Sequence, residues 1–312
     1  MKNNQDNRKH HLIFTTAALA AIPVAYVGMA NHKFNKIFKT NMHYLEKDII
    51  DFLPDEFTVE AYKKFEESDI DWYKQSNLHN CQIDAFDGLK LSGVLIENHR
   101  NHRYVILAHD YNEDCYALLR QAHLFDELNF NVLLIDLRGW GNSEGQYTTL
   151  GFKESLDILA WIDKLVAFDS NAEIGLYGVG MGASSCLLAA QHTLTSNVSF
   201  IISDCAYANA ISYLEKRLNS NLYTNLIEMK VSNELNFDLT ECNMLEAAAG
   251  IAIPVLFIHG TKDQIIPCQD TLNMYEACNA SKELLILEDS HHGFNCYHDG
   301  FKERITNFIE NL

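Results

Sequence analysis

The chain has 312 residues, 47% hydrophobic and 21% charged, with a formal net charge of −18; that suits one large α/β domain or two small ones. Six basic residues (Lys2, Arg8, Lys9, Lys33, Lys36, Lys39) against Asp6 leave residues 1–39 at +5, so residues 40–312 carry −23. So acidic a body repels phosphate backbones, which argues against nucleic acid as a partner, and against anionic lipid headgroups apart from the basic N-terminal flanks.

The first element is Leu12 to Ala30, "LIFTTAALAAIPVAYVGMA", 19 residues without a charge and long enough to span a bilayer. A cleavable signal peptide is the rival reading, since Gly28-Met29-Ala30 offers small residues at suitable offsets. The length of the apolar run favours an uncleaved single-helix anchor, giving a membrane-attached protein. Basic residues flank both ends and leave the orientation weakly determined. The anchor-first layout points to an extracytoplasmic domain, while cysteines that look free point to the cytoplasm.

Residues 40–79 read as a polar, helical lead-in, and 80–312 as the main domain. Leu89–Glu97 alternates like a strand after a turn at Asp87-Gly88. Arg103–Asp110 and Phe130–Gly141 hold continuous apolar runs of the buried-strand type. Residues 152–167 have helical spacing. Ile174–Gly178 is a strand that leads into a helix over 182–193. Strands follow at 198–204, 254–260 and 283–289, and residues 301–312 form an amphipathic helix. The segment 205–250 has no strand pattern and suits a small helical cap. Short apolar strands alternating with helices predict an α/β fold, with a mostly parallel central sheet and helices on both faces.

The eight cysteines are scattered without a C-x-x-C pair, and the 14 histidines show no H-E-x-x-H spacing. Neither a disulfide framework nor a zinc site is predicted, and no cofactor is implied.

Chemistry concentrates on loops after the strands. "YGVGMGAS" places Gly178, Gly180 and Gly182 in the layout of a nucleophile elbow, G-x-S-x-G, with glycine at its centre. The Met181 amide at the start of the following helix and the Tyr111 amide after "ILAHD" are the candidate oxyanion donors. "HGTKDQIIP" puts Asp263 past a strand end as the candidate carboxylate. "LEDSHHGF" offers His291 or His292 as the base. The order elbow, Asp, His is that of α/β-hydrolases.

On these residues the chain resembles the α/β-hydrolase superfamily. More closely it resembles its bacterial, N-terminally anchored esterase/lipase and serine-aminopeptidase-like branch. "DLRGWGNSEG" is similar to the D-x-R-G-x-G-x-S-x-G segment of that branch, and "YTTLGFKESLDILAWIDKL" and "PVLFIHGTKDQIIP" follow its pattern. "LEDSHHGF" resembles its E-x-A-G-H-G loop, which implies His292 as the base. The resemblance implies a serine hydrolase of esters, thioesters or amides acting on a small-molecule or peptide acyl substrate. Two positions depart from it. Gly180 stands where the family has serine, and Asp110 where it usually has glycine. Without Ser, Cys or Thr at 180 no acyl-enzyme can form there. Ser184, Ser185 and Cys186 should point elsewhere. The expectation is a hydrolase by descent that is catalytically silent and uses its pocket for binding. The alternatives are water activated by His292–Asp263, or a non-catalytic membrane-anchored binding protein.

Overall fold

The computed structural model describes residues 26–40, 59–192 and 196–312. Residues 12–25 of the expected anchor, and 41–58 of the lead-in, lie outside them. Among the described residues no helix is long and apolar enough to cross a membrane.

Eight strands form one sheet in the order β1-β2-β4-β3-β5-β6-β7-β8. They are β1 (Leu78–Asp84), β2 (Lys90–Ile96), β3 (Arg103–Ala108), β4 (Asn131–Ile135), β5 (Glu173–Val179), β6 (Val198–Asp204), β7 (Val255–Gly260) and β8 (Lys282–Leu287). β2 runs antiparallel to β1 and to β4, and every pairing from β4 through β8 is parallel. The apolar runs become the central strands because both of their faces are covered: every residue of β4 and of β7 is buried. β1 is one of the two edge strands, polar and largely exposed, and so it carries no apolar signal in the sequence.

One face of the sheet packs against α4 (Phe152–Phe168), α5 (Met181–Ala189), α8 (Met244–Gly250) and α9 (Cys268–Ala277). The other face packs against α3 (Leu119–Glu127) and α10 (Phe301–Glu310), with Trp72 of α2 (Val59–Gln75) at its margin. The segment expected to form a cap is helical. It contains α6 (Ala210–Leu218) and α7 (Asn221–Leu235), which pack on each other. Asn209 caps α6 by accepting from the Ile211 and Ser212 amides.

The packed unit reaches back beyond residue 80. Residues 26–38 are helical (α1), and Phe34, Ile37 and Phe38 are buried in the same core as α4 and α5. The Tyr111 hydroxyl donates to the carbonyls of Lys36 and Ile37 at 3.2 and 2.9 Å. Trp72 of α2 donates to Asp126 at 2.8 Å. The charge pattern of residues 31–39 hides this, because the lysines face outward while the aromatic residues between them face in.

"DLRGWG" is a structural device. Arg138 is buried and grips Asp157 of α4 with two bonds, from Nε at 2.7 Å and Nη2 at 2.6 Å, and Asp87 from Nη1 at 2.8 Å. A planar guanidinium suits such two-pronged pairing. It ties the loop after β4 to the helix that follows it.

Candidate active site

The elbow has the backbone that its spacing predicts. Gly180 follows β5 at φ 52°, ψ −112°, and α5 starts at Met181. Added Cβ atoms at Gly178 and Gly182 would overlap backbone. At Gly178 the clash is with the amide of Ala183, and at Gly182 with the carbonyls of Ala108 and His109. Strand, helix and oxyanion loop therefore approach as closely as only glycine permits. A side chain at position 180 would bear strain of about 1–3 kcal/mol at this φ; glycine does not.

What fills the missing side chain's place is Asp110. A Cβ added at Gly180 would lie inside the Asp110 carboxylate. Asp110 Oδ1 accepts the Met181 amide at 2.7 Å. Of the two candidate oxyanion donors, the Met181 amide is therefore spent on a carboxylate of the chain itself, and Tyr111 follows that carboxylate's residue in the same loop. The loop bearing Asp110 is pinned from behind by His109, which is fully buried. Its Nδ1 donates to the Asp110 carbonyl at 2.7 Å and its Nε2 accepts the Leu137 amide at 3.0 Å.

Of the two candidate bases, His292 enters the site. Its Nδ1 donates to Asp263 Oδ2 at 2.6 Å and its Nε2 donates to Asp110 Oδ2 at 2.8 Å. Asp263 is held at the end of β7 by the Ile265 and Ile266 amides, both 2.8 Å from Oδ1. His259 Nε2 lies 3.1 Å from Asp263 Oδ2. The three side chains form one chain of charge, carboxylate–imidazolium–carboxylate, closed at both ends by backbone amides.

The electrostatics follow from that geometry. Burial works against the His292 cation, but the Asp110 charge and the hydrogen bonds to Asp110 and Asp263 outweigh it and hold its pKa well above 6.5. Burial also works to raise the two carboxyls. The His292 charge and hydrogen bond hold Asp110 below the usual carboxylate range, and bonds from His259 and His292 hold Asp263 below it. The stability this gives has two limits. The raised His292 contributes fully below its ordinary 6.5 and loses its contribution as pH rises through the higher folded value. The lowered carboxyls contribute fully above 3.8 and lose their contribution as pH falls through the lower folded values. The triad is therefore most stabilising from about pH 4 to about pH 6.5. We expect Asp110→Asn to bring the alkaline decline of Tm to lower pH, because His292 then lacks one counter-charge. A Tm–pH profile checks this, and coincident alkaline limbs would contradict it.

The hydroxyls nearest the elbow turn away, as expected. Ser184 Oγ donates to the Gly180 carbonyl at 3.1 Å and Ser185 Oγ to the Met181 carbonyl at 2.7 Å. Cys186 is buried, with its thiol pushed up to about 12. None of them replaces the serine. Cys205, Asp263 and His292 offer ligand atoms within 4.8 Å of one another, types that zinc accepts. Here those atoms are engaged differently: Asp263 and His292 share a proton, and burial pushes the Cys205 thiol well up. A metal would have to displace both protons.

Several contributors had no signal in the sequence. Cys205 closes β6 at φ 55°. Beside it, buried Asp204 accepts from Asn295 Nδ2 at 2.6 Å and from the Tyr177 hydroxyl at 2.8 Å. Asn295 lies three residues past His292, so this bond braces the histidine loop. Above the triad is a cavity of about 120 Å³. Leu150, Met181 and Ile266 line it with Tyr111, Tyr207 and, from α6, Tyr213 and Arg217. Arg217 Nη1 donates to the Tyr213 hydroxyl at 2.7 Å, and its guanidinium lies 5.4 Å from the Tyr111 ring centre.

Comparisons with known proteins agree with this architecture. The family model described as "Serine aminopeptidase, S33" matches residues 99–244. The Bacillus subtilis protein YqkD is 28% identical over 243 residues, which cover 74% of this chain and 78% of that one. The Escherichia coli protein YfhR is 23% identical over 238 residues, 74% and 80% of the two chains. Among solved structures, the Pyrococcus furiosus esterase Pf2001 superposes with a TM-score of 0.64 at 22% identity, over 76% of this chain and 93% of the esterase. Acetyl xylan esterase 1 from Thermoanaerobacterium superposes at 0.57 and 15% identity, over 87% and 99%. With strand order, elbow backbone and the order elbow–Asp263–His292 all agreeing, the chain has the α/β-hydrolase fold, and its middle section is similar to the serine aminopeptidase, S33 family.

Proposed function

We propose that this esterase-like α/β-hydrolase is silent in serine chemistry, is tethered to a membrane by residues 12–30, and uses the cavity over its triad to bind a small molecule. The observation that carries the reading is the Asp110 carboxylate. It occupies the nucleophile's place, takes the Met181 amide and holds His292 as a cation. Three requirements of acyl transfer are affected together: the nucleophile is absent, an oxyanion donor is occupied and the base is a cation. The same ion pair counts against the water route. An imidazolium that donates from both nitrogens has no lone pair with which to take a proton from water. Tyrosine walls and the guanidinium of Arg217 at the cavity favour a compact, partly apolar ligand.

The test uses the native chain. A fluorophosphonate probe is expected to leave it unlabelled, and short-chain aryl esters to hydrolyse no faster than in buffer. Ester turnover without labelling, abolished in His292→Ala, would overturn silence in favour of the water route.

A further inference from the structure

We infer that the face formed by α1 and α7 lies on the bilayer surface, so that the cavity is entered beside the lipid. This rests on the tether proposed above and adds to it an orientation for the folded domain.

The argument starts from where the apolar run ends. Leu12–Ala30 carries no charge, and its last five residues are the first residues described in α1. Tyr26, Val27 and Met29 are exposed there, while Ala30 and, one turn on, Phe34 are buried in the domain. The direction in which the run meets the domain is thus fixed by packing. Beside it runs α7. The Tyr223 and Tyr26 rings are 5.8 Å apart, Lys33 Nζ lies 5.1 Å from the Tyr223 ring centre, and Lys230 Nζ lies 4.7 Å from that of Phe34.

α7 presents three sides. Thr224, Ile227 and Val231 face the core, and Tyr223 and Lys230 face α1. Leu222, Leu226 and Met229, at i, i+4 and i+7, share the third side. Leu222 is 51% and Met229 63% exposed, and Met29 on α1 is 51% exposed. Of the 11 large hydrophobic side chains that are exposed among the described residues, five belong to this helix pair: Tyr26, Val27, Met29, Leu222 and Met229. Such a concentration marks an interaction surface, whereas scattered single residues do not. The occupant is a lipid surface because the uncharged run that would cross it ends on this face. Lys33 and Lys36 follow immediately and put positive charge beside headgroups, on a body that is otherwise strongly acidic. The cavity opens nearby, since Tyr111 and Arg217 line it and the Tyr111 hydroxyl is bonded to α1.

The experiment uses the full chain in vesicles of phosphatidylcholine and phosphatidylglycerol, some carrying bromine on their acyl chains. Met229→Trp adds a reporter on the proposed face. Phe168→Trp adds one at the opposite end of the sheet, where Phe168 is exposed next to Asp169, which accepts from Tyr104 at the start of β3. Each is read as emission added over the three native tryptophans. We expect bromine to quench about half of the Met229→Trp increment and almost none of the Phe168→Trp increment, as for a side chain seated at the acyl boundary. Flotation of the same samples separates the two ideas. A chain that does not float overturns tether and orientation together. A chain that floats with both increments unquenched keeps the tether and overturns the orientation. A Met229→Trp emission that is blue-shifted yet unquenched, from particles of twice the protomer mass, assigns the face to a second copy and likewise overturns it.

Discussion

Replacing Asp110 by glycine and Gly180 by serine in one chain is expected to create a labelled, ester-hydrolysing enzyme, while neither single change does so. Gly180→Ser alone puts its Cβ into the Asp110 carboxylate. That carboxylate is held by the Met181 amide and by His292, so it is not free to step aside. Asp110→Gly alone clears the space and frees the Met181 amide but supplies no nucleophile. Together the changes give the introduced serine the vacated place beside His292 Nε2. The Met181 amide becomes free for an oxyanion, and His292 loses the Asp110 charge that favours its protonated form. Removing a triad nucleophile from a working hydrolase costs about 10⁶-fold in turnover. Even a poorly aligned restoration should therefore raise aryl-ester hydrolysis by at least about 10³-fold over the native chain. Fluorophosphonate labelling of the introduced serine gives the covalent readout. A double variant with a native circular dichroism spectrum that neither labels nor turns over would sink the idea that Asp110 and Gly180 are what silence the site.

The second large effect is on stability. His292→Leu is expected to destabilise the native chain by about 3–5 kcal/mol, because it leaves Asp110 and Asp263 as facing, buried carboxylates without their shared cation. In the Asp110→Gly background the same substitution should cost at least about 1 kcal/mol less, since one of the two charges is then gone. A histidine kept for catalysis behaves differently: its removal is commonly neutral or stabilising. Urea unfolding of the four chains measures the coupling. Equal losses in both backgrounds would mean that Asp110 and His292 are not an ion pair. The two experiments are independent, because the first reads acquired chemistry and the second reads what the triad contributes to the fold.

The paired departures at 110 and 180 explain each other. With serine at 180 there is no room for the aspartate's carboxylate, and with glycine there the carboxylate fills the space and satisfies the Met181 amide. A buried amide without a partner costs about 1–3 kcal/mol. Gly180 also relieves the elbow's backbone strain. The arrangement is thus self-consistent without a nucleophile, with Asp263 and His292 as members of an ion triad.

Local chemistry made much of this legible from residue order alone. The central strands announce themselves because burial on both faces demands unbroken apolar runs, as in "RYVILA" and "PVLFIHG". The elbow is readable because close approach of strand and helix admits only glycine at 178 and 182. Asp263 and His292 follow from their places after strands. Edge strand β1 was not legible, since a strand with one free edge and exposed faces needs no apolar pattern. The inward-facing aromatics of α1 were hidden among lysines, because contacts over more than seventy residues of separation leave no local periodicity. Above all, the sequence marks Asp110 and Gly180 as two separate departures, 70 positions apart. Only the tertiary structure brings them into one volume of space, where a carboxylate from the β3 loop replaces a hydroxyl from the elbow. A one-dimensional pattern records residue types. Whether His292 is a base or a cation depends on which charges the fold sets against its two nitrogens.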